Sequence, residues 1–150
     1  MSEISCDVIV IGAGPAGEVA AGRLADGGLE VVVVENHLVA GECSYYACMP
    51  SKALLRPGDL IDEARRIPGV KEAVTGDIDV ASALARRDEV IHDLDDSVQL
   101  PWLEDKGIRL IRGSGKLTGE KTVTAGEHEI TASRAVVIST GTRPAMPPID

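Results

Sequence analysis

Two of the three cysteines, Cys43 and Cys48, are separated by four residues, and Pro50, Ser51 and Lys52 follow closely. Zinc sites of the knuckle type need a second close pair of cysteines or histidines, whereas the third cysteine and the three histidines are scattered. The sequence therefore predicts no metal site. A cysteine pair that reversibly forms a disulfide explains the spacing better.

Closing this pair into a disulfide requires a break in regular helix. Positions i and i+5 of an α-helix differ by about 140° in rotation and roughly 7.5 Å along the axis, but a disulfide needs Cα atoms within about 7 Å. Pro50 disfavours helical geometry at Met49 and suits a first helical turn, which predicts a helix start near Pro50 or Ser51. Cys48 would then lie beside a helix N-terminus, where the dipole and Lys52 favour the reactive thiolate.

The alternative for the pair is two buried structural cysteines. Such residues have no reason to precede a lysine and a helix start, so the redox interpretation is preferred. Cys6 differs because it lies in an apolar run, and it is predicted to be a buried structural residue.

A second candidate site is the glycine-rich segment GAGPAG, which spans residues 12–17. It follows an aliphatic run at 6–11, interpreted as a buried strand, and opens a helix predicted from Pro15 to about Asp26. A second strand is predicted at 31–34 and ends in Glu35. Glycines at these positions permit a tight turn and close approach of a pyrophosphate, and the later acid can bind a ribose. The whole context predicts a dinucleotide site without distinguishing NAD from FAD.

Composition narrows the class of protein. The 150 residues suit one domain, and the scarcity of aromatic residues (2%, with no Phe) suits an aliphatic core around a parallel sheet. A net charge of −9 argues against a nucleic-acid partner. The chain contains no long apolar run and no signal-peptide pattern, which predicts a soluble cytoplasmic protein without membrane contact.

The remaining pattern predicts a mixed α/β fold. One helix is expected at 51–67, interrupted and kinked at Pro57 and Gly58, and another from the N-cap Asp79 to about 103, with His92 at its surface. Residues 108–111 read as a third parallel strand, and three short runs at 116–117, 122–124 and 129–131 as an antiparallel meander. Residues 135–140 are expected to return to the parallel sheet.

Taken in order, GAGPAG, Glu35, the dicysteine with PSK, and STGTRPAMPPI resemble the flavin-dependent pyridine nucleotide disulfide oxidoreductases, the family of lipoamide dehydrogenase, glutathione reductase and mercuric reductase. The resemblance covers essentially the whole chain and implies a Rossmann-like FAD-binding domain. The sequence departs from the family pattern at Ala40 and Ala47, where the family has glycine, at Tyr45, where it has asparagine, and at Ser139, where it has alanine.

The resemblance implies a role for each motif. The glycines would cradle the FAD pyrophosphate, and Glu35 would hold the adenosine ribose. Cys43 would be the interchange thiol, Cys48 the flavin-facing charge-transfer thiol, and Lys52 would stabilise negative charge on reduced flavin; these three are the expected catalytic residues. His37 and His128 match no family position and are expected at the surface. The full set expected to contact FAD is Gly12, Gly14, Pro15, Ala16, Gly17, Glu35, Asn36, Gly41, Glu42, Cys43, Lys52, Gly115, Thr140 and Gly141.

The resemblance also implies a domain organisation. Residues 1–143 would be the first segment of an FAD-binding domain, and 144–150 the start of a linker to an absent NAD(P)H domain. The chain is thus expected to be an N-terminal piece that is inactive alone. Its parent, expected to be a homodimer, would pass electrons from NAD(P)H through FAD to the dithiol and on to a small-molecule or protein disulfide.

Two alternative functions remain at this point. One is an NAD-binding dehydrogenase domain with incidental cysteines. The other is a non-catalytic FAD-binding module whose dithiol acts only as a redox sensor.

Overall fold

A computed structural model describes residues 2–142 and 145–149, which divide into two compact units. The sheet unit contains the residues up to Val39 together with those from Ser97 onward. The helical unit contains Ala40–Asp96. The predicted domain boundary between residues 143 and 144 lies outside the described residues.

Six strands of the sheet unit form a single sheet: β1 (Ser2–Ile11), β2 (Val31–Glu35), β3 (Arg109–Arg112), β4 (Lys116–Gly119), β5 (Thr122–Ala125) and β6 (His128–Ile138). Their spatial order is β3-β2-β1-β6-β5-β4. The pairs β3-β2, β2-β1 and β1-β6 are parallel, whereas β5 pairs antiparallel with both β6 and β4. The predicted α/β class, with a parallel sheet and an antiparallel meander, is confirmed.

The centre of this sheet is aliphatic on both faces. Strand β2 reads VVVVE, and each of its four valines is at most 3% exposed. Because side chains alternate across a strand, Val32 and Val34 pack in one apolar cluster and Val31 and Val33 in another. A parallel strand covered on both faces needs such an uninterrupted aliphatic run.

Strand β6 differs from its prediction. Two separate strands were expected at 129–131 and 135–140, but β6 is one strand of 11 residues. It extends because β1, at 10 residues, offers a parallel partner from Ser2 to Ile11, with one register shift between Cys6 and Val8. The third strand of the meander is therefore also the strand that returns to the parallel sheet.

Among its described residues, the sheet unit contains the α-helices α1 (Pro15–Asp26) and α5 (Leu100–Asp105) and a 3-10 turn at Ser97–Gln99. The predicted bounds of α1 are confirmed, with Pro15 at its start and Gly27 at its C-cap. The indole of Trp102 on α5 packs over Gly22, where an added Cβ would lie 3.0 Å from the ring. Gly22 therefore provides the space in which α5 meets α1.

The helical unit contains α2 (Gly41–Tyr45), α3 (Cys48–Arg66) and α4 (Val80–Val90), with 3-10 turns at Lys71–Ala73 and His92–Leu94. Helix α3 packs against α4. The predicted N-cap Asp79 is confirmed, since its carboxylate accepts from the N–H groups of Ala81 and Ser82. The predicted interruption at Pro57 is wrong, because α3 continues through it; a proline removes one helical hydrogen bond, which need not end a helix packed on a neighbour.

The predicted helix from 80 to about 103 is also wrong. Helix α4 ends at Val90, and the next residues His92, Asp93 and Leu94 have φ values of 51°, 51° and 65°. Left-handed backbone is unfavourable for residues other than glycine and cannot continue a right-handed helix. The apolar residues that suggested one continuous stripe therefore belong to α4, its C-cap and the 3-10 turns that follow it, and they fall in two different units.

Within the described part of the chain, no helix is both long and apolar enough to span a membrane. The same residues contain no cluster of three or more His, Cys, Asp or Glu side chains that could hold a metal ion.

Candidate functional site

The glycine loop lies between β1 and α1 at the carboxyl end of the parallel strands. Gly12 has a φ of 100°, and an added Cβ would collide with the backbone carbonyl oxygen of Ser139. A Cβ on Gly17 would collide with the carbonyl oxygen of Gly12 and lie 2.8 Å from Ser139 Oγ. The first and third glycines are therefore required by the fold itself, because any side chain would push the loop away from its neighbours.

Gly14 has open space around it, unlike Gly12 and Gly17, and this space shows whether a dinucleotide would fit at the loop. Gly14 has a φ of −75°, which suits any residue, and an added Cβ would have no atom within 4 Å. This glycine is the N-cap of α1, where the first-turn N–H groups have no intrahelical acceptors. Open space in front of a helix N-terminus is what a pyrophosphate needs, so the loop fits a dinucleotide. Pro15 and Ala16 follow it and are exposed.

Glu35, at the end of β2, is buried with 8% exposure. Its carboxylate accepts hydrogen bonds from the N–H groups of Ala13 and His37, both at 2.7 Å. A carboxylate can accept about four hydrogen bonds, so two bonds leave capacity for a ribose. The sequence suggested only a cofactor role for Glu35. The structure adds that Glu35 fixes the glycine loop.

The predicted contact residues Asn36 and Gly115 lie in loops that follow β2 and β3. The amide of Asn36 donates to the hydroxyl of Ser114 at 3.3 Å. A Cβ on Gly115 would lie 3.0 Å from Ile11 Cγ2, so this glycine has a packing reason in addition to its predicted cofactor role.

Sequence reasoning missed two side-chain groups around the loop. The hydroxyl of Ser139 lies within hydrogen-bond distance of the carbonyls of Ile11 (3.1 Å) and Gly12 (2.9 Å). The guanidinium of Arg112 donates to the carbonyl of His37 at 2.7 Å. Both side chains contact backbone carbonyls that only the folded sheet brings close to them. Their position at the carboxyl ends of parallel strands, where ligands bind in such sheets, could have identified them from the sequence. The predicted residues Thr140 and Gly141 directly follow Ser139 and are exposed.

The dicysteine segment lies in the helical unit, and the chain breaks between its two cysteines. Cys43 is in the middle of α2, the backbone leaves helical geometry at Ala47 (φ −123°, ψ −85°), and Cys48 is the first residue of α3. Both cysteines are partly buried thiols. The expected distortion is present, but the helix starts two residues before Pro50, which occupies its first turn. Because proline needs no N–H partner there, it does not have to be the first helical residue.

The flanking residues complete this segment. Ala40 and Gly41, with φ values of 76° and 58°, turn the chain into α2. The carbonyl of Glu42 accepts from the N–H groups of Tyr46 (2.9 Å) and Ala47 (2.7 Å), which closes the last turn of α2. Lys52 is exposed and lies four residues after Cys48, on the same face of α3.

Cys6 is buried, as predicted, and it belongs to the sheet unit rather than to the helical unit that contains Cys43 and Cys48. It is 6% exposed, and burial, with the nearby carboxylates Glu30 and Asp7, raises the pKa of its thiol. A buried cysteine with a raised pKa is a poor nucleophile at neutral pH. Of the histidines, His37 and His92 are exposed and His128 is partly buried.

The predicted site residues thus form two sets. The sheet unit contains the loop set, which is Gly12, Gly14, Pro15, Ala16, Gly17, Glu35, Asn36, Gly115, Thr140 and Gly141. The helical unit contains the dithiol set, which is Gly41, Glu42, Cys43, Cys48 and Lys52.

The fold is that of a dinucleotide-binding α/β protein, because a glycine loop follows the first strand of a parallel sheet. The dicysteine segment adds a candidate redox dithiol. The family model described as pyridine nucleotide-disulphide oxidoreductase matches residues 6–150. The chain belongs to this family, whose members are enzymes that use FAD and NAD(P)H.

Individual relatives agree with this assignment. The chain is 29% identical to a mercuric reductase of Lysinibacillus sphaericus over 99% of its own length and 27% of the relative's. It is 36% identical to dihydrolipoyl dehydrogenase 3 of Pseudomonas aeruginosa, covering 94% of this chain and 32% of the relative. The chain therefore spans about a third or less of these curated relatives.

A solved structure shows the same fold. The Cu(II) complex of the HOCl-induced flavoprotein disulfide reductase RclA from Escherichia coli superposes with a TM-score of 0.73 at 25% identity. The superposition covers 95% of this chain and 29% of RclA.

Proposed function

We propose that this chain binds FAD at the glycine loop and carries a Cys43–Cys48 dithiol that exchanges with disulfides. The observation that carries the proposal is the break between α2 and α3, which separates the two cysteines into different helices. A regular helix would hold them too far apart for a disulfide. Family membership supports the same chemistry.

On the FAD side, the fit of the loop supports the assignment. Gly14 leaves space at the N-terminus of α1, and Glu35 keeps capacity to accept from a ribose while it holds the loop. Asn36, Gly115, Thr140 and Gly141 are proposed as further contacts in the sheet unit, and Gly41, Glu42 and Lys52 in the helical unit. Bound FAD would supply two-electron transfer between a pyridine nucleotide and the dithiol.

On the dithiol side, the proposed step is thiol–disulfide exchange. Cys43 attacks one sulfur of an acceptor disulfide to form a mixed disulfide and release one thiol. Cys48 then attacks Cys43, which forms the Cys43–Cys48 bond and releases the second thiol. The dithiol loses two electrons and two protons, and the acceptor gains them. Lys52 is proposed to place positive charge near the segment.

The wider function belongs to the longer relatives. We propose that the parent protein is a cytoplasmic homodimer, in which electrons pass from NAD(P)H through FAD to this dithiol and then to an acceptor. A redox-sensing role without turnover is distinguished by measuring acceptor-dependent oxidation of NADH or NADPH by the parent.

The FAD assignment is tested by equilibrium dialysis of the chain against FAD and against NAD. We expect binding of FAD in preference to NAD, and at least tenfold weaker binding by Gly14→Ala, whose methyl group would occupy the proposed pyrophosphate position. Asp105→Asn, an exposed change on α5, serves as the control. Equal FAD affinity for wild type and Gly14→Ala would contradict the assignment, and preference for NAD would favour a dehydrogenase domain.

A further inference from the structure

A cavity of about 380 Å³ in the helical unit is not explained by the proposed FAD contacts. One side is formed by Tyr45, Tyr46 and Pro50 from the dicysteine segment. The other side includes the end of α4 and the left-handed turn that follows it. This volume is within the range of small-molecule sites, which start at roughly 300 Å³.

The cavity lies next to the dithiol segment in the fold. The N–H of Tyr46 donates to the carbonyl of Glu42 at 2.9 Å, so helical geometry continues to Tyr46. Residues three apart on a helix are neighbours on one face, which makes Tyr46 a neighbour of Cys43. Tyr45 is only 2% exposed, and its hydroxyl donates to the carbonyl of Asp95 at 3.4 Å, which anchors this wall.

The charged groups of the cavity wall do not cancel. Arg87 Nε lies 2.6 Å from Asp88 Oδ1, so these two charges neutralise each other, although the contact lacks the alignment of a hydrogen bond. The carboxylate of Asp93 is the additional charge, on a residue whose φ of 51° places it in the left-handed turn. One net negative charge beside the ring of Tyr46, which is 49% exposed, favours a cation, because aromatic faces also attract cations.

We propose that this cavity binds the acceptor of the dithiol and selects disulfides that carry an ammonium group. The inference rests on the proposed function, because it names the substrate class of that same dithiol. The exchange itself is unchanged: the two thiols become one disulfide, and the acceptor disulfide becomes two thiols. The cavity contributes by holding the cationic arm of the acceptor next to Cys43.

The test uses three small disulfides that differ in charge: cystamine (cationic), bis(2-hydroxyethyl) disulfide (neutral) and 3,3'-dithiodipropionate (anionic). The reduced 150-residue chain is mixed with each at low salt, and loss of protein thiols is followed with time. Each rate is divided by the rate of the same disulfide with free dithiothreitol, which removes differences in leaving-group chemistry.

We expect the corrected rates to fall from cystamine to the neutral disulfide to the anionic one, and this order to weaken in high salt. Asp93→Asn should lower the ratio of the cystamine rate to the neutral rate by about two- to fivefold, the scale of one exposed charge interaction. Asparagine tolerates left-handed backbone well, so the turn should be preserved. Asp105→Asn makes the same charge change on α5 and should leave the ratio unaltered.

The outcomes separate the two proposals. If no disulfide oxidises the chain, the proposed dithiol function fails. If all three oxidise it with equal corrected rates, or if Asp105→Asn lowers the ratio as much as Asp93→Asn, the dithiol function stands and the cation-selective cavity is overturned.

Discussion

The two units of the chain bury their apolar residues to different extents. In the sheet unit, residues 8–11 of β1 and the four valines of β2 are at most 7% exposed. In the helical unit, Leu55 on α3 and Val80 on α4 are 64% and 66% exposed. Buried apolar area is the main stabilising contribution to folding, so the two units draw on it very unevenly.

This contrast matches the kind of site that each unit carries. The glycine loop needs fixed backbone distances, and two buried strands with Glu35 and Ser139 supply them. The proposed dithiol would change its covalent structure, and its cysteines lie on the five-residue α2 and at the first residue of α3. The helical unit that contains them has few buried side chains, such as Tyr45 and Ile91. Segments with few buried apolar contacts open at lower free energy than core strands do.

The largest predicted effect separates two glycines of the same loop. Gly12→Ala should destabilise the chain by about 3 kcal/mol or more, because it combines a φ of 100° with a collision against the Ser139 carbonyl. Gly14→Ala should change stability by less than about 0.5 kcal/mol, since its Cβ enters open space. Urea denaturation measures both, and equal losses would contradict the geometry of the loop.

Two aliphatic-to-alanine substitutions, one in each unit, test the difference in burial between the units. Ile9→Ala should cost about 2 to 5 kcal/mol, because a fully buried side chain is removed from the sheet unit. Leu55→Ala, at a position 64% exposed, should stay within about 0.5 kcal/mol. Thermal unfolding of both variants gives the comparison; a large loss at Leu55 would show that α3 is covered in solution.

Replacement of Glu35 is expected to have two consequences. Glu35→Ala leaves the N–H groups of Ala13 and His37 without their acceptor, which should cost about 1 to 3 kcal/mol in stability. The predicted loss of the ribose contact should lower FAD affinity by a further 1.5 to 3 kcal/mol, roughly. Glu35→Gln, which keeps one acceptor oxygen, should retain more stability than Glu35→Ala. A normal urea midpoint for Glu35→Ala would argue against its role in fixing the loop.

The smallest predicted effects concern the pH dependence of folding stability. They rest on a carboxyl group with a shifted pKa in each unit, and the two shifts are in opposite directions. Hydrogen bonds from the Ser82 hydroxyl and N–H, and from the Ala81 N–H, lower the pKa of Asp79. The contribution of Asp79 to the stability of the fold is therefore present above the unfolded pKa and is lost as pH falls through the lower folded pKa. Burial raises the pKa of Glu18 on α1, so its contribution is complete below the unfolded pKa and is lost as pH rises through the folded pKa.

Two variants check these signs. Asp79→Ala should be less stable than wild type at pH 7, and the difference should become smaller in acid, where the neutral carboxyl is a weaker acceptor. Glu18→Gln should be more stable than wild type at pH 7, and this gain should disappear in acid. Urea midpoints across the pH range measure both, and a pH-independent difference for either variant would contradict its assigned cause.

The two units also differ in how far the sequence predicted them. The first strand, the glycine loop and α1 follow from local signals, namely an aliphatic run, Gly12 and Pro15. The predicted bounds of α1 and the predicted end of the strand match, whereas β1 begins four residues earlier than predicted. The turn at 92–94 was missed because none of its three residues is glycine. His92 and Asp93 tolerate left-handed backbone better than most residues, but they also occur in helices, so the local signal is weak. The role of Ser139 was missed because it depends on strand β6 lying beside β1.

The central claim is that Cys43 and Cys48 form a redox pair from which Cys6 is excluded. The direct measurement is disulfide mapping by mass spectrometry, after mild oxidation of the folded chain and alkylation of the remaining thiols. We predict one Cys43–Cys48 disulfide, reversed by dithiothreitol, with Cys6 alkylated only after unfolding. A product in which both cysteines remain alkylated thiols, or in which Cys6 is joined to either of them, would contradict the account.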